Sequence, residues 1–125
     1  MENLPEKEFI AVKQLNGEYR QNYFEEKVKQ QQGFYLLIND EGPIMLSDPE
    51  QSDDGEANVL PVWSHPKYID LFLENYKEVS GKSQFVTLAA WNQNWVKTLA
   101  SEQVMLGYMP LDEQDFVVEP IKAFG

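Results

Sequence analysis

Apolar residues recur along this chain in two rhythms, and the changes of rhythm mark its elements. Over residues 5–15, Phe9, Val12 and Leu15 return at helical spacing. That predicts a first helix, with Asn3 as its cap and Pro5 in its first turn. Asn16-Gly17 ends or kinks it. A second helix is predicted over residues 18–31, with Tyr19, Tyr23, Phe24 and Val28 toward the core. The polar run 29–32 and Gly33 close it.

The rhythm then changes. Apolar runs at 34–38 and 43–46 flank Asn39-Asp40-Glu41-Gly42, which reads as a β-hairpin. Residues 48–56 form a polar, acidic loop. Residues 59–63 are a third strand, in which Val59, Pro61 and Trp63 share one face and Leu60 and Val62 the other, so the strand is expected to be covered on both sides or at one edge. A turn at 64–66 feeds a helix over 66–76, where Tyr68, Ile69, Phe72, Leu73 and Tyr76 form an amphipathic stripe. Residues 79–84 read as a loop containing Gly81, and 85–88 as a short apolar stretch. Thr87 is placed to cap a helix over 89–101, with Trp91, Trp95 and Leu99 four residues apart on one face. Residues 104–109 and 116–119 pair across the turn 110–114 as a second hairpin.

The pattern therefore predicts one α+β domain over residues 1–125. It holds a mainly antiparallel sheet of about five to six strands packed with three to four helices, and no repeat or linker divides it. Hydrophobic residues make up 42% and aromatics 13% of the 125 positions, enough for a packed core. Residues 1–6 lack the basic region and apolar run of a secretory signal, and no apolar run is long enough to span a bilayer. A soluble cytoplasmic protein is expected, and either a monomer or a homodimer suits the pattern. Ten basic residues against 21 acidic ones give a formal charge of −11. That argues against binding to nucleic acid or to an anionic membrane, and leaves a basic protein partner or mimicry of a nucleic acid. With no cysteine, disulfides, thiolate metal sites and a cysteine nucleophile are excluded.

Several segments resemble a known family. Gly33-Phe34-Tyr35-Leu36-Leu37 with its acidic-glycine turn, Leu60-Pro61-Val62-Trp63-Ser64-His65-Pro66-Lys67-Tyr68, the helix 88–99 and Val117-Val118-Glu119-Pro120 are similar to the bacterial family described as domain of unknown function 2750. Tyr23-Phe24 ahead of Lys27-Val28 fits that family's first long helix. The resemblance covers about residues 18–120. It implies a single-domain α+β fold and carries no activity, because the family has none established. Gln103 stands where family members often place glycine, which implies a less relaxed helix end there. Residues 60–63 with the following helix also resemble the N-terminal part of SseB-type proteins, and that likeness favours an interaction module.

Candidate chemistry is sparse. His65, the single histidine, sits at a strand-to-helix turn where general acid–base work or anion binding is conceivable. Ser64 is its only adjacent partner, and consecutive turn residues rarely aim at one point. The plainer alternative is that Ser64 caps the helix while His65 and Pro66 fill its first turn. No metal site is expected. In the acidic loop Glu50, Ser52, Asp54 and Gly55 imitate EF-hand positions, but Pro61 falls where the bidentate Glu belongs. No phosphate loop or nucleophile elbow is present in the sequence, and no cofactor is expected.

Trp91 and Trp95 read first as core, but an open tryptophan beside Trp63 would make an aromatic groove, and Asn92, Gln93 and Asn94 could bond a ligand or peptide. The candidate binding residues are therefore Trp63, Ser64, His65, Trp91 and Trp95. The expected function is that of a non-catalytic protein-interaction module, adaptor or immunity-like, whose acidity suits a basic protein partner. The alternative is an enzyme or small-molecule binder with its pocket at the turn 63–66.

Overall fold

In a computed structural model, which describes residues 6–40, 42–47, 58–75, 80–111 and 117–124, the chain opens with helix α1 (Glu6–Lys13). The expected cap Asn3 and first-turn Pro5 lie outside the described residues. Asn16 begins the next element: its Oδ1 accepts the Tyr19 N–H at 3.0 Å and so caps α2 (Gly17–Gln31). The core stripe of α2 is Arg20, Phe24 and Val28 at i, i+4 and i+8. That phase leaves Tyr19 61% exposed, a correction to its expected place in the core.

Gln32, at φ 57°, makes the left-handed turn that ends α2. The helix-closing role expected of Gly33 therefore falls to its neighbour. Gly33 instead opens strand β1 (Gly33–Asn39), where an added Cβ would fall against the Phe85 ring and 2.5 Å from the Val86 carbonyl oxygen. Close approach of two strands is what the missing side chain permits.

The hairpin after β1 is shorter than its sequence pattern. Strand β2 (Gly42–Pro43) pairs with β1 through Ile38↔Pro43 and Asn39↔Gly42, and Gly42 at φ 117° supplies the turn conformation that favours glycine. The chain then leaves β1: strand β3 (Leu46–Ser47) pairs with β4 (Asn58–Val62). The expected single strand over 43–46 is thus two strands with different partners. Beyond this wedge β1 and β4 come together directly, exchanging Tyr35 N–H→Trp63 O at 2.8 Å and Trp63 N–H→Tyr35 O at 3.0 Å. The acidic loop 48–56 lies outside the described residues.

Strand β4 is covered on both faces, as its alternation predicts, with Val59, Leu60, Val62 and Trp63 all fully buried. Helix α3 (Pro66–Asn75) buries Tyr68, Ile69 and Phe72, and Phe72 packs on Trp63 at 5.2 Å between rings. Strand β5 (Lys82–Thr87) pairs antiparallel with β1 over six residues. The expected loop over 79–84 therefore ends at Gly81, and Lys82–Gln84 are strand. Their side chains are solvated, so no alternation marked them.

Thr87 caps the following helix as expected, its Oγ1 accepting the Ala90 N–H at 3.2 Å. That helix is regular over α4 (Leu88–Ala90) and α5 (Val96–Ser101) and widened into a π turn at Trp91–Trp95. The Val96 N–H reaches back five residues to the Trp91 carbonyl. A uniform helix over 89–101 was expected, since residues four apart share a face in either geometry. Gln103 is left-handed at φ 60°, the less relaxed helix end that the resemblance implies.

Strand β6 (Met105–Tyr108) pairs parallel with β4, from Val59↔Met105 to Val62↔Tyr108, and antiparallel with β7 (Val118–Pro120). The second hairpin stands, while residues 112–114 of its expected turn, together with 115 and 116, lie outside the described residues. Among the described residues, seven short strands thus form groups β2-β1-β5 and β3-β4-β6-β7, joined by the Tyr35–Trp63 bridge. This is the α+β, mainly antiparallel architecture that the pattern predicts, with one parallel pair. Phe34 anchors the aromatic core, 5.6 Å from Phe24, 5.0 Å from Trp91 and 5.6 Å from Phe124.

Candidate functional site

The strand-to-helix turn at 63–66 is tied into the fold by several of its polar groups. Trp63 is fully buried and donates its indole N–H to the Pro110 carbonyl at 2.8 Å. The Ser64 N–H points at the Met109 sulfur at 3.3 Å, and the Ser64 carbonyl accepts from Gln31 Nε2 at 2.9 Å. The Ser64 hydroxyl is buried without a hydrogen-bond partner among the described residues. The cap of α3 is His65, a correction to the expectation for Ser64. Its Nδ1 accepts the Lys67 N–H at 3.1 Å and its carbonyl accepts the Tyr68 N–H at 3.1 Å. Pro66 at the first helical position fixes the cap one residue earlier, and an imidazole nitrogen there reaches the amide that an Asn oxygen would take. The cap needs a lone pair on Nδ1, so the ring carries its proton on Nε2.

The remaining two candidates sit on the π turn. Trp91 is fully buried, donates its indole N–H to the Lys122 carbonyl at 3.0 Å and stacks on half-buried Trp95 at 6.2 Å. Asn92, expected to be available to a ligand, grips the C-terminal segment instead. Its Nδ2 donates to the Phe124 carbonyl at 2.8 Å and its Oδ1 accepts the Phe124 N–H at 3.0 Å. Gln93 and Asn94 are exposed.

Two clefts adjoin the β1–β5 pair. One of about 390 Å³ is lined by Ile38, Asn39, Asp40 and the chain from Ser80 to Lys82. The other, of about 510 Å³, lies between the sheet and the π turn, lined by Ile38, Pro43, Gln84, Thr87, Ala90 and Trp95 among others. Of the five candidates Trp95 alone borders either cleft. Trp63, fully buried, lines no open groove.

Two polar networks escaped the sequence reading. Tyr23 donates to Glu8 Oε2 at 2.6 Å and meets the Tyr68 hydroxyl at 3.0 Å, while Lys27 pairs with the same Glu8 oxygen at 3.3 Å. Burial, followed by the bonds to Glu8 and Tyr68, holds the Tyr23 hydroxyl far above its ordinary range. Burial also raises Tyr68, to about 12. Around Glu119, Gln21 donates at 3.0 Å, the Tyr108 hydroxyl at 3.0 Å, and Lys122 lies at 3.4 Å. Burial pulls the Glu119 carboxyl upward, but the Gln21 and Tyr108 bonds with the Lys122 charge outweigh it and lower the value. Glu119 stands in the Val117–Pro120 motif, so the motif was visible while its partners, distant in sequence, were not. Among the described residues no cluster of three or more His, Asp or Glu could hold a metal ion, and no helix is long and apolar enough to cross a membrane.

Residues 21–124 match the family model described as protein of unknown function DUF2750. The chain belongs to this family. The match confirms the resemblance carried by the β1, β4–α3 and β7 motifs. It begins inside α2, so α1 and its contacts to Tyr23 and Tyr68 lie outside the part of this DUF2750 chain that the model covers. No curated protein and no solved structure is significantly similar to the chain.

Proposed function

We propose that this DUF2750 protein is a non-catalytic protein-interaction module, adaptor or immunity-like in role, that acts in the cytoplasm on a basic protein partner. One observation carries the reading. All 21 acidic residues lie outside residues 82–101, and that acid-free span is the strand β5 and the broken helix beside the larger cleft. It presents Ser83, Gln84, Phe85, Thr87, Asn92, Gln93 and Asn94 to solvent. Interfaces are depleted of charge at their centre and polar at their rim. An acid-free strip whose charges are only Lys82 and Lys97, in a chain of −11, is close to that composition, and the acids of the rest of the chain are available to steer a basic partner. The same charge opposes nucleic acid as the partner.

The reading is tested by affinity capture from native lysate at low and moderate salt, with the wild-type chain and with a variant carrying Gln93→Glu and Asn94→Glu on the exposed π turn. Retention of a basic protein by the wild type and its loss from the variant is the expected result. Recovery of no macromolecular partner at either salt concentration would sink the proposal.

A further inference from the structure

The strand β5 lies at the outer edge of its group, with β1 on one side and no strand on the other among the described residues. Which backbone groups face outward follows from the ladder. Tyr35 spends both its N–H and its C=O on Trp63, on the side away from β5. The pair Tyr35↔Phe85 is therefore a non-hydrogen-bonded one, as are Leu37↔Ser83 and Gly33↔Thr87 by alternation. The bonds Ile44 N–H→Leu37 O and Leu88 N–H→Gln32 O fit the same phase. The N–H groups of Ser83, Phe85 and Thr87 and the carbonyls of Ser83 and Phe85 accordingly point away from the sheet. Of these, among the described residues, only the Phe85 carbonyl is engaged, by Gln84 Nε2 at 3.1 Å, an exposed side chain that can swing aside.

On either face of this edge stands an apolar anchor. Phe85, 37% exposed, packs edge-on to Tyr35 at 5.0 Å on one face. On the other, Gln84 and Val86 share the Phe34–Ile38 side of the sheet, where the 510 Å³ cleft opens toward Trp95. Side chains of an added strand alternate between these two faces.

We propose that β5 receives an extended segment of a basic protein partner as an additional antiparallel or parallel strand. The segment is uncharged and apolar where it lies on β5, with one residue in the Trp95 cleft, and carries Lys or Arg in its flanks. Charge selects this occupant: residues 82–101 hold Lys82 and Lys97 and no acid, while the rest of the chain holds all 21 acids. Basic residues over the strip itself gain no counter-charge, whereas at its Lys82 end they approach exposed Asp40, which lines the smaller cleft with Lys82. A second copy brings another −11 and is disfavoured by like-charge repulsion. This inference rests on the interaction reading above and assigns it a site and a binding mode.

Strand addition is tested with dodecapeptides selected from a displayed random library on the immobilised full chain, the best of them synthesised as the probe. With peptide bound, amide exchange at Ser83, Phe85 and Thr87 is expected to slow by at least about tenfold, as for newly bonded edge amides. Ser83→Pro deletes one outward donor and no bond to β1, and is expected to weaken the peptide by about tenfold. The amide readout uses wild-type protein, so it stands even if the proline variant folds poorly. Protection confined to other amides, or affinity unchanged by Ser83→Pro in a folded variant, overturns the inference. So does failure of the library to yield any binder, and so does a dimer in which these amides are already slow, since a second copy is then the occupant. If the lysate partner survives Ser83→Pro, the interaction module stands while the β5 site falls.

Discussion

Replacing Gly33 by alanine tests the closest approach in the sheet. The added Cβ would press on the Phe85 ring edge and lie 2.5 Å from the Val86 carbonyl oxygen, inside the 3.0 Å that Cβ contacts essentially never cross. The two obstacles differ in kind. The ring sits on a rotatable, partly exposed side chain and can turn away, forfeiting its contact with Tyr35. The carbonyl is fixed in the hydrogen-bonded pair Phe34↔Val86, so β1 and β5 must separate by several tenths of an ångström. Overpacking of this size costs about 2 to 3 kcal/mol. Fewer unfolded conformations return about 0.5 kcal/mol, for a net loss of about 2 kcal/mol. In a chain this long the melting temperature is expected to fall by about 8 °C. Urea unfolding of Gly33→Ala, Phe85→Ala and the double variant divides the cost: removing the ring should recover only about half of the Gly33→Ala penalty. A Gly33→Ala protein within about 0.5 kcal/mol of wild type would refute the close-packed β1–β5 pairing, and full rescue by Phe85→Ala would refute the role given to the Val86 carbonyl.

Four further outcomes follow from the same geometry. The Tyr68 hydroxyl is pushed up to about 12, first by burial and also by the Glu8 charge, against its bond with Tyr23. The folded state therefore holds this proton more tightly than the unfolded one, so stability is intact below about pH 10 and is lost as the pH climbs toward 12. Urea midpoints should show that decline, shallower in Tyr68→Phe, and a flat alkaline profile would count against it. Asn92→Ala deletes both bonds to the Phe124 backbone and should cost about 1 to 2 kcal/mol, with faster exchange of the Phe124 amide; an unchanged amide would mean that the ring alone holds the segment. Gln103→Gly removes a side chain from a left-handed position and should stabilise by about 1 kcal/mol. Gln32→Gly should gain less, because its Nε2 bond to the Lys29 carbonyl at 2.7 Å is lost; equal gains from the two would contradict the contrast. At the turn, Ser64→Ala removes a buried hydroxyl without a partner and should be neutral or stabilising, whereas His65→Ala should cost about 1 kcal/mol by uncapping α3. Denaturation curves with the opposite order would reverse the assignment of the cap.

The elements readable from the sequence were those whose burial is one-sided and periodic. The α3 stripe at Tyr68, Ile69 and Phe72, the doubly covered β4 and the Thr87 cap each leave a local mark, so they lie where the pattern puts them. Strand identity failed where no side is buried: Lys82–Gln84 pair fully with β1 yet face water, and their composition reads as loop. Pairing choices failed because alternation names a face and never a neighbour, which hid both the division of 42–47 between β1 and β4 and the parallel β4–β6 pair. The π turn was invisible because Trp91 and Trp95 are four apart under either helical geometry. Of the five candidate residues, Trp63, Ser64, His65 and Trp91 lie in core or cap, while the exposed surface beside Trp95 is mostly Ser, Gln, Thr and Asn with Phe85 among them, and those polar residues carry no periodic signal.

The parallel pair between β4 and β6 also sets the order in which the chain can mature. Val59 pairs with Leu46 early but finds its parallel partner only when Met105 has arrived, after α3, β5 and the broken helix have been made. Met105 in turn finds its other neighbour only at Pro120. During synthesis the segment up to Trp63 can form α2, the β1–β2 corner and the bridge to Trp63, but it holds one edge of its most apolar strand open until Met105–Tyr108 have followed. Closing distant segments late is slow, and an uncovered apolar strand invites wrong partners in the interval. Residues 118–124 then complete the sheet and core: Glu119 pairs across from Leu106 on the far edge of β6, the Lys122 carbonyl takes the Trp91 indole N–H, and Phe124 joins the aromatic core.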